Sequence, residues 1–292
     1  MFLYEMLGMG IRMMKINDRI SSILIHIVLI LFSLLAIYPV FIMVAGSLKT
    51  ATELSANASG FPIAPTLENY VRLFNFDSGL IVRTFSNSIF VAAAYSGLTV
   101  IIASLAGFAF AKYKFFGRDI LFVMLLITMM IPAELNMTPL YLMFSKMHWL
   151  NTYKVQIFPG IANVFALFLM RQYMVTIPDS LIEAARIDGA RDFKIFYRII
   201  MPISMPSISA LAILQFLSKW NEILYPKIML TKKELMPIMI ILPTLNELDS
   251  ARSVPWELVL TGCTLVTVPI IIVFLIFQDK FLSSVTLGAV KG

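Results

Sequence analysis

The stretch Glu-Ala-Ala-Arg-Ile-Asp-Gly occupies residues 183–189, and Ile-Ile-Met-Pro follows it at residues 199–202. Both lie between two long apolar segments of the chain. Because charged side chains are costly to place in hydrocarbon, this stretch must lie in water or against protein. Small residues near its start and a glycine at its end favour close approach by another chain. The stretch therefore predicts a docking surface for a partner on the cytoplasmic side.

The composition around this stretch is that of an integral membrane protein. Apolar residues make up 59% of the 292 residues and charged residues 14%, whereas soluble domains have roughly 45–50% apolar residues. The mean hydropathy is +0.87. The single cysteine, Cys263, excludes an intrachain disulfide and a cysteine metal cluster. The two histidines, His26 and His148, lie far apart in sequence, which argues against a histidine metal site.

Six apolar stretches approach or exceed the roughly 20 residues that a membrane-spanning helix needs. They run approximately over residues 21–46, 86–111, 119–144, 155–175, 203–226 and 257–277. Prolines interrupt several of them, but neighbouring helices can satisfy the carbonyl groups that a proline frees, so we expect kinks. The third stretch contains Pro132, Glu134, Asn136 and Pro139, and its helix is expected to bend or end there. The predicted fold class is an all-α membrane protein with about six transmembrane helices.

Lysine and arginine residues are distributed unevenly around the six stretches. Placing the N-terminus in the cytoplasm puts the larger basic set in short cytoplasmic loops, which is the usual orientation. Both termini are then cytoplasmic in the multi-pass chain. The sequence pI near 9.4 follows from this asymmetry and indicates no nucleic-acid partner.

Two long loops, residues 47–85 and 227–256, lie on the outer side in this orientation. Loops of this size can meet a soluble partner. The equally open alternative is that they cap the helix bundle.

The cytoplasmic segment 176–202 predicts a short helix, a turn and a second helix. Pro178 can start the first helix, Asp179 favours its positive N-terminal end, and Gly189 permits a sharp turn. After the turn, apolar contacts are expected from Phe193, Ile195, Phe196 and Ile199. A partner that pushes this element would transmit the push to the apolar span that starts near Pro202.

At these residues the sequence resembles the membrane subunits of ABC importers. Their loop has the pattern Glu-Ala-Ala, three residues, Gly, nine residues, Ile, one residue, Leu-Pro; here the spacing is complete and Met201 replaces the Leu. Similarity to the carbohydrate permeases of the maltose-type branch extends to Trp220-Asn221-Glu222, Asn151-Thr152-Tyr153 and the tail 286–292. The resemblance covers nearly the whole chain, best from residue 86 onward. It implies the type I importer permease fold with a cytoplasmic coupling helix.

The resemblance also implies a division of labour in the cell membrane of a prokaryote. A second permease subunit completes the path as a heterodimer, two ATPase subunits use ATP and Mg, and an extracytoplasmic binding protein delivers the sugar. This chain would then be a transport subunit, with no enzyme activity and no cofactor of its own. In agreement, the sequence has no G-x-x-x-x-G-K-[ST] phosphate loop.

The resemblance assigns roles to particular residues. The ATPase-coupling residues are Glu183, Ala184, Ala185, Asp188, Gly189, Ala190 and Pro202, with Glu183 the candidate for a salt bridge to the ATPase. The tail residues that reach toward the ATPase pair are Gly288, Lys291 and Gly292, and the loop ahead of Trp256 probes the binding protein. The corresponding division of the chain is an N-terminal segment with the first helix and outer loop (1–85), a permease core (86–278) and a cytoplasmic tail (279–292).

The substrate path is less well marked in the sequence. Polar or amphipathic groups near membrane depth are functional candidates by default, and a sugar needs hydrogen-bond partners and an aromatic face. The candidates are Glu134, Asn136, Gln215, Trp220, Asn221 and Glu222. The alternative is that they lie at the outer interface, where such residues are common.

Two other classes of protein compete with a permease. A secondary transporter driven by protons or sodium should show inverted repeats or paired buried carboxylates, and a membrane enzyme should show a metal or nucleophile cluster. The sequence has no clear repeat, scattered acids and no such cluster. Ala103, Gly107 and Ala111, spaced four apart, predict a helix-packing stripe. The identity of the sugar is left open.

Overall fold

The computed structural model describes the backbone of residues 2–247 and 254–289 and the side chains of residues 22–245 and 254–278. Fifteen α-helices and no strand occur in this described part of the chain. They are α1 (Phe2–Ser47), α2 (Ala51–Ala56), α3 (Glu68–Asn75), α4 (Leu80–Lys112), α5 (Arg118–Thr128), α6 (Met137–Lys146), α7 (Tyr153–Ile157), α8 (Val164–Val175), α9 (Asp179–Ile187), α10 (Asp192–Ile195), α11 (Met201–Ile203), α12 (Met205–Trp220), α13 (Leu224–Met229), α14 (Ile238–Ile241) and α15 (Trp256–Ala289). The all-α prediction is confirmed.

Three helical segments are long and apolar enough to cross a membrane unaided. They are Ser22–Ser47 within α1, Glu68–Lys112, which includes α4, and Trp256–Gln278 within α15, with 26, 45 and 23 residues. These segments match the first, second and sixth predicted stretches. The residues up to Tyr70 and the segment Pro255–Thr264 form one compact unit. This unit contains α1 and the start of α15.

Two further apolar spans are broken. The third predicted stretch bends by 89° between α5 and the segment Ala133–Lys146, which confirms the expected break at Pro132. Asp192–Ile203 and α12 meet at 78°. Between α10 and α11 the chain forms one wide π-helical turn over Phe196–Ile200.

The expectation of one continuous helix over residues 155–175 is wrong. Helix α7 ends at Ile157, residues 158–163 are not helical, and α8 has 12 residues. Such a helix is about 18 Å long, short of the roughly 30 Å hydrocarbon core. Gly160 turns the chain with φ +84°, and the Asn163 side chain caps α8 by accepting a hydrogen bond from the Ala166 amide at 2.9 Å.

The second compact unit, Val71–Val254 with the chain from Leu265 onward, is built on α4, α8 and α12. Gly107 of α4 lies so close to α8 that a Cβ atom there would be 2.8 Å from Met170 Cβ. Ala103 is 2% exposed in the same core. Small residues permit this approach, so the predicted packing stripe is confirmed.

The loop 227–256 is partly built into this second unit. Met229, Leu230, Ile238, Ile241 and Leu245 are all buried. These residues hold the described part of the loop against the second unit, whereas residues 231–234 between them are exposed.

In the first unit, the start of the other outer loop is tied down by a buried lysine. Lys49 is fully buried, and its Nζ donates hydrogen bonds to the carbonyl oxygens of Asn57 at 2.6 Å and Gly60 at 2.7 Å. The Asn69 amide donates to the carbonyl oxygens of Ser47 and Lys49. These bonds satisfy polar groups that burial would otherwise leave unpaired.

Candidate functional site

The first candidate site is the loop that carries the coupling motif, and α9 is fixed at its N-terminal end. Lys112, the last residue of α4, pairs through Nζ with Asp179 Oδ1 at 2.8 Å and also donates to the Ile177 carbonyl. Its side chain is only 4% exposed. The hydrogen bond from Lys112 lowers the pKa of Asp179 below its usual value. As predicted, α9 begins directly after Pro178.

The C-terminal end of α9 is closed by a glycine turn. Gly189 has φ +76°, its amide donates to the Arg186 carbonyl at 3.0 Å, and the Ala190 amide donates to the Ala185 carbonyl at 2.9 Å. This pair of bonds is a Schellman motif, which stops a helix and satisfies its last carbonyls. Arg186 then reaches across the turn to Asp192 Oδ1 at 3.1 Å. The sharp turn expected at Gly189 is present.

The two faces of α9 differ sharply in exposure. Ile182 and Ala185 are buried in the core cluster that also contains Ile195 and Phe196. Glu183, Ala184 and Asp188 are exposed on the other side. Ala185 and the half-buried Ala190 therefore pack inward, and the surface offered to a partner consists of Glu183, Ala184 and their exposed neighbours.

Three large apolar side chains stand exposed beside these residues. Ile187 is 87% exposed, Phe193 74% and Tyr197 68%. Phe193 makes one of the expected apolar contacts, with its ring centroid 6.5 Å from that of Phe196, but most of its side chain is exposed; the sequence analysis did not select Ile187. A detectable signal existed, because Ile187 lies four residues after Glu183 and so shares its polar helix face. We name Ile187, Phe193 and Tyr197 the apolar patch; Pro202 is also exposed, in α11.

The second candidate site is a cavity of about 280 Å³ where several interrupted helices meet. Its wall is formed by Tyr95, Ala133, Met137, Leu140, Pro159, Gly160, Asn163, Ser218, Lys219, Glu222 and Tyr225. Lys219 Nζ pairs with Glu222 Oε2 at 2.6 Å. The ammonium lies 4.8 Å from the ring centroid of Tyr95 and 5.5 Å from that of Tyr225. A buried cation is thus held by one carboxylate and two aromatic faces.

The two tyrosine hydroxyl groups have different environments. Tyr95 Oη donates to the Gly160 carbonyl at 3.1 Å, and a Cβ atom at Gly160 would lie 3.1 Å from that oxygen. Tyr225 is 8% exposed, and its hydroxyl is buried without a hydrogen-bond partner. Tyr95 therefore fixes the wall, whereas the Tyr225 hydroxyl has hydrogen-bonding capacity to spare.

The structure brings one of the six predicted path residues, Glu222, to the cavity. Trp220 is 1% exposed, stacked on Phe216 at 5.7 Å and edge-on to Phe85, so its ring does not present a face to a sugar. Gln215 is 5% exposed and does not line the cavity.

The other three predicted path residues are exposed and outside the cavity wall. Asn221 donates to the Leu217 carbonyl at 3.0 Å. Glu134 and Asn136 lie on the 3₁₀ turn that contributes Ala133 to the wall. The sequence analysis missed Lys219, although a lysine three residues before a glutamate inside an apolar stretch is a usable signal.

The predicted tail contacts fall at the edge of the described chain. Gly288 lies within α15, whereas Lys291 and Gly292 lie outside the described residues. Residues 248–253 of the loop ahead of Trp256 lie outside them as well.

Comparison with known proteins places these features in a family. The family model described as binding-protein-dependent transport system inner membrane component matches residues 99–286. The arabinooligosaccharides transport system permease protein AraQ of Halalkalibacterium halodurans is 34% identical over 283 residues, 96% of this chain and 100% of that protein. The lactose transport system permease protein LacG of Rhizobium radiobacter is 30% identical, over 96% of this chain and 100% of that protein.

More distant similarity extends to another cargo and to a solved structure. The sn-glycerol-3-phosphate transport system permease protein UgpE of Brucella abortus is 30% identical over 90% of this chain and 95% of that protein. A chain in the crystal structure of a bacterial ABC transporter for alginate import superposes with a TM-score of 0.76 at 24% identity, covering 91% of this chain and 98% of that one. At this identity the solved structure supports the shared fold.

Proposed function

The chain belongs to the family of binding-protein-dependent transport system inner membrane components, and on that premise we propose that its cargo is a sugar or sugar derivative. It is a multi-pass membrane permease subunit of an ABC importer and not an enzyme. The sugar class is supported by the names of the relatives, among which are arabinooligosaccharide and lactose permeases. No observation favours an ion-coupled transporter.

The loop around α9 is proposed as the contact with a separate ATPase subunit. The observation that carries this proposal is the exposure of Ile187 at 87% on a short helix that Lys112 anchors at one end and Gly189 closes at the other. Large exposed apolar groups at one place mark a protein contact. Glu183 on the same face supplies a charge for a basic group of the partner, worth about 0–1 kcal/mol if the pair is exposed.

The remaining assembly follows by analogy with the family. We propose a second permease subunit as a heterodimer, two ATPase subunits that bind ATP and Mg, and an extracytoplasmic sugar-binding protein. Both termini are placed in the cytoplasm of a prokaryotic cell, with residues 86–278 as the permease core between segments 1–85 and 279–292. Gly288, Lys291 and Gly292 are proposed to contact the ATPase pair, and the loop ahead of Trp256 to meet the binding protein.

Uptake by the reconstituted complex tests this function. The chain would be purified in mild detergent with the proteins that accompany it and placed in liposomes with ATP inside and the binding protein outside. The probes are lactose, arabinotriose and sn-glycerol 3-phosphate. We expect ATP-dependent uptake of at least one of the two neutral sugars. Uptake that proceeds without ATP and disappears when proton and sodium gradients are dissipated would replace this proposal with an ion-coupled mechanism.

A further inference from the structure

We propose that the cavity between Tyr95, Lys219, Glu222 and Tyr225 is a binding station that this chain contributes to the path and that holds one neutral, hydroxyl-bearing ring of the cargo. The inference rests on the proposed function, because it assumes that a sugar passes through the permease. Three of these four residues, Tyr95, Lys219 and Tyr225, are not among the path candidates predicted from the sequence.

The backbone around the cavity is the first support. Residues 129–136, 158–163 and 221–223 are not α-helical, and each segment interrupts or ends the helices of an apolar stretch. Members of all three, Ala133, Gly160 and Glu222, line the cavity. Irregular backbone at membrane depth is tolerated where it is buried in protein or lines a water-filled space. Three such interruptions at one place indicate a space that water and polar solutes occupy.

The depth of the cavity agrees with a path. Tyr95 lies within α4, whose last residue is Lys112 beside the coupling loop. At about 1.5 Å per residue, Tyr95 is about 25 Å along the helix from Lys112. The cavity is therefore separated from the coupling loop by most of the roughly 30 Å hydrocarbon thickness, on the side from which an imported solute arrives.

The charges of the cavity select for a neutral ligand. Lys219 is 8% exposed and already paired with Glu222, so this ion pair carries no net charge. A charged ligand would leave one buried charge without compensation, which is expensive. A sugar ring can add hydrogen bonds to the remaining ammonium protons and carboxylate lone pairs without breaking the pair. The Glu222 side chain, at 32% exposure, is within reach of a ligand.

The Tyr225 hydroxyl is the second independent sign of a ligand. It is buried and has no hydrogen-bond partner, whereas the Tyr95 hydroxyl on the opposite wall is occupied by the Gly160 carbonyl. The oxygen is closed off from the cavity as it stands, and a rotation of the Tyr225 ring toward the ligand would give this costly unpaired group its partner. The volume of about 280 Å³ lies at the low end of the roughly 300–1,000 Å³ of ligand pockets, so it suits one ring and not a whole oligosaccharide.

The first test removes only the unpartnered hydroxyl. The measurement is equilibrium binding of radiolabelled lactose or arabinotriose, whichever the wild type imports, to the complete transporter in nanodiscs without binding protein. Tyr225→Phe should weaken this binding about 2- to 10-fold, as expected for the loss of one hydrogen bond. Tyr153→Phe is the control, because that hydroxyl donates to Asn87 Oδ1 at 2.7 Å and does not line the cavity. A purely structural tyrosine predicts unchanged binding in Tyr225→Phe, which would overturn the proposal.

The second test changes the charge preference. Glu222→Gln leaves Lys219 uncompensated, so the cavity should gain affinity for the aldonic acid of the same sugar relative to the neutral sugar, by about tenfold. An unchanged ratio of the two affinities in an assembled complex argues against a cargo contact. If Glu222→Gln prevents assembly of the complex, the test uses Ser218→Cys at the cavity wall instead. Cys263→Ala removes the native cysteine, so that only the new thiol is labelled. There the ion pair is intact, and bound sugar should slow thiol labelling; equal labelling rates would reject the station.

The proposed cargo class and the proposed binding station are refuted by different outcomes. A wild-type complex that imports sn-glycerol 3-phosphate and neither neutral sugar refutes a neutral sugar as cargo. A wild-type complex that imports one of them, with Tyr225→Phe and Glu222→Gln behaving as wild type in binding, refutes the station and leaves the permease assignment intact.

Discussion

At the scale of single residues, Gly189 and Gly107 occupy positions where most other residues would destabilise the fold, for different reasons. Gly189 needs its backbone conformation, with φ +76° and nothing within 4 Å of a would-be Cβ. Gly107 needs its lack of a side chain, since a Cβ would meet Met170 Cβ at 2.8 Å and the Arg171 amide nitrogen at 3.0 Å. The first glycine shapes the coupling loop and the second sets how closely α4 and α8 pack.

Replacing Gly189 with valine should uncouple ATP hydrolysis from uptake. A β-branched residue in the left-handed region costs on the order of 1–3 kcal/mol, which the short α9 turn has few contacts to offset. The ratio of sugar imported to ATP hydrolysed in proteoliposomes measures the effect. Gly189→Asn is the matched control, because asparagine tolerates this conformation, and its ratio should stay near the wild-type value. Equal ratios for the valine and asparagine variants would contradict a role for the turn.

Replacing Gly107 with alanine should lower the stability of the permease. The added methyl group forces two tightly packed helices apart, at a cost of about 1–3 kcal/mol. Gly97→Ala is the control in the same helix, since a Cβ there has nothing within 4 Å, and helix propensity predicts a gain of up to about 1 kcal/mol. Thermal unfolding midpoints of the two variants in one detergent should therefore move in opposite directions.

At the scale of elements, α9 is stabilised more by its two ends than by its own length. It has nine residues, below the roughly 12–15 residues that an isolated helix needs in water. Its buried face contributes Ile182 and Ala185, and the Lys112–Asp179 pair and the Gly189 turn fix where it starts and stops. Its N-terminal end is thereby tied to the end of α4.

The N-terminal anchor should be sensitive to acid. The pKa of Asp179 is lowered by the hydrogen bond from Lys112, so the anchor contributes stability above the usual aspartate pKa of about 3.9 and loses it as the pH falls through the lower folded value. Asp179→Asn should raise amide hydrogen exchange in α9 at neutral pH, and the wild type should show this only below about pH 4.

Asp188→Asn serves as the control for this anchor. It removes a negative charge at the other end of the same helix, where the helix dipole disfavours an acid. Exchange in α9 should stay as slow as in the wild type, or slow further. Faster exchange in Asp188→Asn together with unchanged exchange in Asp179→Asn would show that the Lys112–Asp179 pair does not anchor α9.

The elements also show what can be predicted from sequence and where prediction ends. Pro178 and Gly189 marked where α9 starts and where its turn lies, and Pro132 marked the break after α5, because these signals are local. Apolarity alone could not separate one helix over residues 155–175 from α7 and α8, since Pro159 and Gly160 break the backbone inside a stretch that stays apolar on average. The contact of Lys219 with the Tyr95 ring joins residues more than a hundred positions apart, and no local pattern reports such a meeting.

At the scale of the whole molecule, the chain presents its apolar patch to water while its lipid-facing helices present apolar residues to the bilayer. Ile187 stands between the charged residues Arg186 and Asp188, so lipid does not explain its exposure. The proposed contact with an ATPase subunit would cover this side chain.

Replacing Ile187 with serine should weaken attachment of the ATPase. Burying an isoleucine in an interface is worth about 1.5–3 kcal/mol, so the amount of ATPase that remains bound during purification at low concentration should fall. Folding of the permease should not change, because the side chain is 87% exposed. Ile63→Ser, at an isoleucine 82% exposed in the outer loop, is the control and should retain the ATPase. Equal retention in both variants would place the ATPase elsewhere.

The wide turn at Phe196–Ile200 sets how far α11 is rotated about the helix axis relative to the coupling loop. Ile195, Phe196 and Ile200 all face the core, although in an α-helix a residue five positions on points about 140° away. The π-helical turn absorbs one extra residue and brings them back into line. The residues of α11 after this turn are therefore rotated by about 100° relative to an uninterrupted helix, and the direction in which the chain bends by 78° into α12 is set with them. Removing one residue from this turn would leave the coupling loop intact but would point α12 in another direction.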